Sequence, residues 1–263
     1  MLSTKIQKLR PEQLLALNIE ARRWLARTKL FTYFPDTGQL RRELYPRHMA
    51  FFALGGKHQP MQGMCPPSCD GSPHRERLAL CANRVGKTEG MGGYESTLHL
   101  TGRYPEWWPG YRFTTPIQAW AAGETRQTVR DIQQHKLMGP FNDFGTGLIP
   151  GDDIVDTRSA PGIPNACEQA VIAHYDHSGQ RDGDSVLGFK SYDQGVEAFQ
   201  GTERHVIWAD EEIPDAIRTE CVTRTMATGG FAGGLLMLTF TPLRGRTAVV
   251  EDFLSEVHAE KSA

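Results

Sequence analysis

Cys81-Ala82-Asn83-Arg84-Val85-Gly86-Lys87-Thr88 is the stretch on which the reading of this chain turns. It follows a short apolar run, residues 78–81, that reads as a strand, and it leads into residues 88–100, whose spacing reads as a helix weakened by Gly90, Gly92 and Gly93. A loop at such a strand-to-helix switch surrounds phosphates with backbone N–H groups and the positive end of the following helix. Lys87 supplies a cation for the β and γ oxygens of a bound nucleotide, and the Thr88 hydroxyl suits its Mg2+. Cys81 stands where the pattern's first glycine belongs. A Gly-Lys-Ser/Thr triplet alone arises by chance in roughly one chain in ten of this length, so the strand-to-helix context carries the weight. All eight residues are candidate nucleotide-binding positions.

Downstream, the apolar Val206-Ile207-Trp208-Ala209 runs into Asp210-Glu211-Glu212. In a nucleotide hydrolase, an aspartate at such a strand end holds the Mg2+ and a neighbouring glutamate polarises the attacking water. Asp210 is assigned to the metal and Glu211 to the water. Taken alone, the acids equally well begin a helix, where carboxylates favour the positive end of the dipole; the upstream loop decides between the two. Further on, Leu238-Thr239-Phe240-Thr241-Pro242 ends a strand in hydroxyl residues. Thr239 and Thr241 would lie near the crevice where open α/β sheets bind ligands, although threonine and proline also suit any ordinary strand end.

Outward from these motifs, strand-like and helix-like segments alternate. The pattern predicts an α/β fold, a mainly parallel central sheet with helices on both faces. Strands are expected over 117–122, 205–209 and 235–241, and helices over 125–137, 215–228 and 246–261. Residues 170–175 and 185–191 read as a pair of strands about a polar turn, while 139–169, rich in Gly, Pro and Asp, reads as irregular. At the amino end, 4–28 has helical spacing, a turn follows at 34–38, and a helix resumes once Pro46 is passed. This divides the chain into an amino-terminal helical extension over 1–60, a phosphate-loop core over 61–245, and a carboxy-terminal helix over 246–263.

Hydrophobic residues make up 39% and charged residues 23% of the 263, ordinary for a globular protein. No apolar run approaches the roughly 18 residues of a membrane span, and the start has no apolar signal core, so the expected setting is the cytoplasm. The five cysteines form no disulfide framework. Cys65, Cys69 and His74 offer a metal three ligands at most, and the segment around them reads as a Pro/Gly/Ser loop holding two incidental thiols. A formal charge of −2 argues against a freestanding DNA-binding module.

Together, the three elements in this order resemble the ATPase domain of tailed-phage large terminases. That family relaxes the first glycine of the loop and places an arginine within it, as in Cys-Ala-Asn-Arg-Val-Gly-Lys-Thr. It also carries Asp-Glu after the metal-binding strand and a coupling motif ending in proline, as in Thr239-Phe240-Thr241-Pro242. The stretch His99 through Gly110, with Trp107 and Trp108, is similar to one found in a branch of the family; paired tryptophans otherwise serve loop packing. The resemblance covers about 44–254 and implies an ASCE-type P-loop NTPase that binds ATP and Mg2+. It implies catalytic roles for Glu211 and Arg84 and coupling roles for Thr239 and Thr241. His48 falls on the adenine side, where the family commonly has a glutamine. Phe199-Gln200-Gly201 lies where some relatives place an arginine that enters a neighbour's site, which leaves Arg204 or Arg158 for that role. The implied partners are double-stranded DNA gripped without regard to sequence, a portal protein, a small terminase subunit and further copies in a ring, all in the host cytoplasm. Family members normally continue into an RNase-H-like nuclease, which the residues after Leu254 are too few to hold, so the expectation is either a piece of a longer protein or a terminase whose nuclease is a separate chain. Other readings are a helicase-like nucleic-acid ATPase and a catalytically idle nucleotide-binding assembly module. The motor reading requires the Gly86 turn and the acids at 210 and 211 to face each other across adjacent strand tips.

Overall fold

A computed structural model describes residues 10–27, 29–226 and 233–258. A helix, α1 (Pro11–Arg27), and a second, α2 (Pro46–Leu54), precede the first strand, β1 (Glu76–Leu80). The phosphate-loop segment then enters α3, which opens with π-helical turns over Lys87–Gly93 and continues as an α-helix over Tyr94–Thr101. Strand β2 (Gln118–Gly123) leads to α4, a helix running through Arg126–Thr128, Val129–Gln134 and His135–Met138. Three strands follow, β3 (Ile154–Ser159), β4 (Cys167–Tyr175) and β5 (Arg181–Ser191). The chain then forms β6 (Val206–Asp210), α5 (Asp215–Thr225), β7 (Leu235–Phe240) and α6 (Ala248–His258). The parts of the predicted helices at 4–9, 28, 227–228 and 259–261 lie outside the described residues.

All seven strands form one sheet in the order β1-β7-β6-β2-β5-β4-β3. The first five in that order are parallel, and β4 and β3 add antiparallel pairs at one edge. The central strands β6 and β7 are buried along their whole length, as expected where both faces of a parallel sheet are covered. Alternation along them sorts side chains into two cores. Val206, Trp208, Leu235 and Met237 join Met91, Leu98 and Leu137 from α3 and α4 on one face. Ile207, Ala209, Leu236 and Leu238 join Ile217 and Cys221 of α5 and Val249 and Val250 of α6 on the other.

The segment before β1 is built into the first of these cores through Leu30, Phe34, Phe51 and Phe52. Trp108 packs there too, 5% exposed and 4.7 Å from the Phe52 ring, with its indole N–H donating to the Tyr111 carbonyl. Arg77 of β1 crosses the same layer, donating to the Phe51 carbonyl at 2.7 Å and to the Glu95 carboxylate of α3 at 2.7 Å. Burial alone would push the Glu95 carboxyl up, but Arg77 and His99 hold it below its ordinary value. An ion pair so buried is stabilising only while both partners are present, and here it fastens α2, β1 and α3 together.

Strand β3 was not expected within 139–169. It is an outer strand with Val155 to Ser159 exposed, so its sequence lacks the apolar alternation by which half-buried strands are read.

Candidate nucleotide site

Because β1, β7 and β6 are parallel, their carboxyl ends meet at one edge of the sheet. Pairing of Leu80 with Phe240 and of Asp210 with Thr239 sets Cys81, Thr241 and Glu211 at that edge. The loop and the acids do face each other, but their strands are not neighbours: β7 lies between β1 and β6. The sequence expectation of adjacent tips is corrected on this point. The physical consequence is that β7 can touch both sides.

On the acid side, a chain of hydrogen bonds runs inward. The Trp208 indole N–H donates to Thr239 Oγ1 at 2.8 Å, and Thr239 Oγ1 donates to Asp210 Oδ1 at 2.7 Å. From the loop, Thr88 Oγ1 donates to Asp210 Oδ2 at 3.0 Å. Asp210 is only 1% exposed. Burial pushes its carboxyl up to about 6, against the opposing pull of the Thr239 and Thr88 hydroxyls and the charge of Lys87. Lys87 itself is buried. On the loop side, Cys81 N–H donates to the Phe240 carbonyl at 3.1 Å, and Thr241 Oγ1 donates to Asn83 Oδ1 at 2.9 Å.

The backbone turns sharply at three of these positions. Arg84, Gly86 and Glu211 have φ of 64°, 83° and 65°, and for the two non-glycine residues this left-handed conformation is uncommon and tends to occur at functional sites. The Glu211 bend is held from both sides. Its N–H donates to the Thr239 carbonyl at 3.1 Å, and the Tyr192 hydroxyl donates to the carbonyls of Asp210 and Glu211 at 3.0 and 3.3 Å. Tyr192 is buried, which raises its hydroxyl well above the ordinary value.

The structure thus brings together Cys81 through Thr88, Asp210, Glu211, Thr239 and Thr241. Within the loop, Ala82, Asn83, Arg84, Val85 and Gly86 are exposed. His48 is close by but buried behind the loop, its ring within reach of a side chain built on Gly86 or Gly90. Burial lowers its pKa, partly offset by the neighbouring backbone of Gly86 and Val85. Arg204 lies just before β6, at the opposite end of the parallel strands, stacked 4.4 Å from the Trp120 ring and donating to Gln118. Arg158 sits on the far edge strand β3, paired with Glu168 at 3.2 Å. Sequence reasoning missed Tyr192 and Trp208, which touch the site only through hydrogen bonds to backbone and to Thr239. Trp208 was visible as a polar-tipped aromatic inside an apolar strand, two residues before the aspartate; a buried indole N–H needs an acceptor.

A family model for the N-terminal part of terminase large subunits of the T4likevirus type matches residues 78–262. The terminase large subunit of Salmonella phage P22 is 37% identical over 199 residues, which cover 70% of this chain and 39% of that protein. The chain thus spans about two fifths of that relative's length. Among solved structures, the large terminase ATPase domain of Thermus phage P74-26 aligns with a TM-score of 0.41 and 19% identity, over 73% of this chain and 68% of that one. The large terminase of a thermophilic bacteriophage, solved in complex with ADP, aligns with a TM-score of 0.39 and 12% identity, over 65% of this chain and 35% of that one. The family match takes in the phosphate loop from Cys81, the Asp210-Glu211 strand end and the Thr239-to-Thr241 strand end, and on it the chain belongs to the terminase large subunit family.

Proposed function

We propose that this chain is the ATP-hydrolysing motor domain of a viral DNA-packaging terminase. One observation carries the reading: the Thr88 hydroxyl and the buried Asp210 carboxylate, 122 residues apart, meet at 3.0 Å beside Lys87 at the carboxyl edge of parallel strands. Asp210 fits a divalent cation because its carboxyl is buried and pushed up to about 6 with only hydroxyl donors on it, and an anion so placed is stabilised by a nearby positive charge. Thr88 and Asp210 would hold Mg2+, which neutralises charge on the phosphate oxygens when bound.

The chain's own residues account for the rest. Backbone N–H groups of the 81–88 loop and the Lys87 ammonium bind the phosphates. Glu211, held at a fixed bend by Thr239 and Tyr192, orients the attacking water and takes its proton on the side-chain carboxylate. Arg84, exposed on the loop, adds positive charge where negative charge develops. His48 supports the loop from behind and flanks the adenine side. Thr239 bonded to Asp210 and Thr241 bonded to Asn83 make β7 the element that senses both the acids and the loop, hence the route from hydrolysis to movement. Double-stranded DNA would be gripped through its phosphates, with a portal protein, a small terminase subunit and other copies of the chain as assembly partners in the host cytoplasm.

The deciding experiment is Glu211→Gln assayed for ATP binding and phosphate release in parallel. Binding is expected to persist while turnover falls at least ~100-fold, the lower range for loss of a general base. Wild-type phosphate release by that variant would remove Glu211 from its role, and no phosphate release by the wild-type protein, with or without DNA, would favour an idle nucleotide-binding module.

A further inference from the structure

The segment joining α2 to β1 spans more than twenty residues, and it contains no helix or strand. Loops of that length inside a domain are uncommon unless they serve a function. Its fold brings four side chains to one point. The donor atoms of His58, Cys65, Cys69 and His74 all lie within 4.8 Å of one another. The sequence offers three ligands here at most, Cys65, Cys69 and His74, with the two thiols read as incidental; the fourth member, His58, lies upstream and joins only through folding.

We infer that His58, Cys65, Cys69 and His74 form a structural zinc site. Three sulfur-to-nitrogen separations are 3.5 Å: His58 Nε2 to Cys65 Sγ, His58 Nε2 to Cys69 Sγ, and His74 Nε2 to Cys69 Sγ. Zinc bonds of about 2.3 Å to sulfur and about 2.0–2.1 Å to nitrogen, arranged tetrahedrally, give edges of about 3.6 Å. The surroundings fit as well. His58 Nδ1 lies 2.9 Å from the Gly56 carbonyl; a proton shared there leaves the Nε2 lone pair facing the cluster, the usual outer partner of a ligating histidine. The Met61 and Gly71 backbone N–H groups donate to Cys65 Sγ and Cys69 Sγ at 3.3 and 3.4 Å, and such donors stabilise thiolates. Two thiolates and two neutral imidazoles suit zinc in both softness and geometry. On binding, each thiol releases its proton to solvent.

The site closes a clasp at the amino end of β1, the end of the strand away from the candidate nucleotide edge. His74 stands two residues before β1, and its N–H donates to the Leu54 carbonyl that ends α2. Through α2, which carries His48, and through β1, which leads into the phosphate loop, the metal would fix the spacing of two elements that flank the candidate nucleotide.

The test uses the whole chain, without nucleotide, because nucleotides chelate metals. Protein purified without chelator is expected to contain about one zinc per chain. After removal of that zinc, titration with Co2+ should give the intense visible bands of a tetrahedral thiolate site, bleached by equimolar Zn2+. His58→Ala and Cys69→Ser should each lose most bound zinc while retaining the wild-type circular dichroism at low temperature. The wild-type Co2+ spectrum stands independently if a variant fails to fold. Absence of those bands, zinc content unchanged in both variants, or a Cys65–Cys69 disulfide in place of metal uptake would each overturn the assignment. None of these readouts depends on ATP hydrolysis.

Discussion

Asp210 carries opposite consequences for stability and for binding. Its carboxyl is pushed up to about 6 in the folded protein from an ordinary 3.8. Between those values the folded chain keeps a proton that the unfolded chain gives up. The group is therefore neutral in its effect below about 3.8 and becomes increasingly destabilising as pH rises to about 6, reaching on the order of 2–3 kcal/mol at neutral pH. Asp210→Asn should accordingly raise the denaturant midpoint of the ligand-free protein at about pH 8 and lose that advantage near pH 4. With Mg2+ and nucleotide added, the wild type should gain stability and the variant should not. Equal midpoints for the two ligand-free proteins in the alkaline buffer would show that the aspartate is not strained by its burial. The place of Asp210 at the carboxyl end of a buried strand was legible in the apolar run before it. Its protonation was not, because desolvation depends on Thr239, Thr88 and Trp208, which arrive from other parts of the chain.

At the scale of elements, the packing of α3 on β6 explains glycines that weaken a helix on paper. A Cβ on Gly92 would overlap the indole nitrogen of Trp208, the same nitrogen that donates to Thr239. Alanine would gain about 1 kcal/mol of helix propensity but force the indole aside, and overpacking of this kind costs about 1–3 kcal/mol. Trp208 is fully buried, so the upper end applies, and Gly92→Ala is expected to lower stability by about 2 kcal/mol in urea unfolding. It should also weaken nucleotide binding, since the displaced indole releases Thr239 from its position on Asp210. A stabilised Gly92→Ala protein would contradict the packing account. The π-helical opening of α3 belongs to the same arrangement, as such turns often accompany functional sites. Most element types were readable from periodicity and from continuous apolar runs such as Leu235 through Phe240. The exposed edge strand β3 was not, since its side chains answer to solvent and carry no pattern.

For the molecule as a whole, the position of the arginines governs how it would work. Arg204 lies at the opposite end of the parallel strands from the phosphate loop, and Arg158 on the outermost strand, four places from β6 in the sheet order. Neither reaches the site of its own chain. If one of them completes a neighbour's site, specific ATPase activity should rise with protein concentration by roughly a factor of ten or more, within the range an arginine supplied in trans can add. Arg204→Ala or Arg158→Ala should flatten that rise. Activity independent of concentration would leave Arg84 as sufficient. By itself the sequence determined the fold class and the location of three motifs, because a phosphate loop, an acid-capped strand and a hydroxyl-rich strand end are local signals with local causes. Only the tertiary structure decided that β7 lies between β1 and β6, that Asp210 is buried beneath Thr239, and that His58 completes a cluster with Cys65, Cys69 and His74. Each of these depends on distances between residues far apart in the chain, which are set by sheet order and packing and leave no mark in any short stretch of sequence.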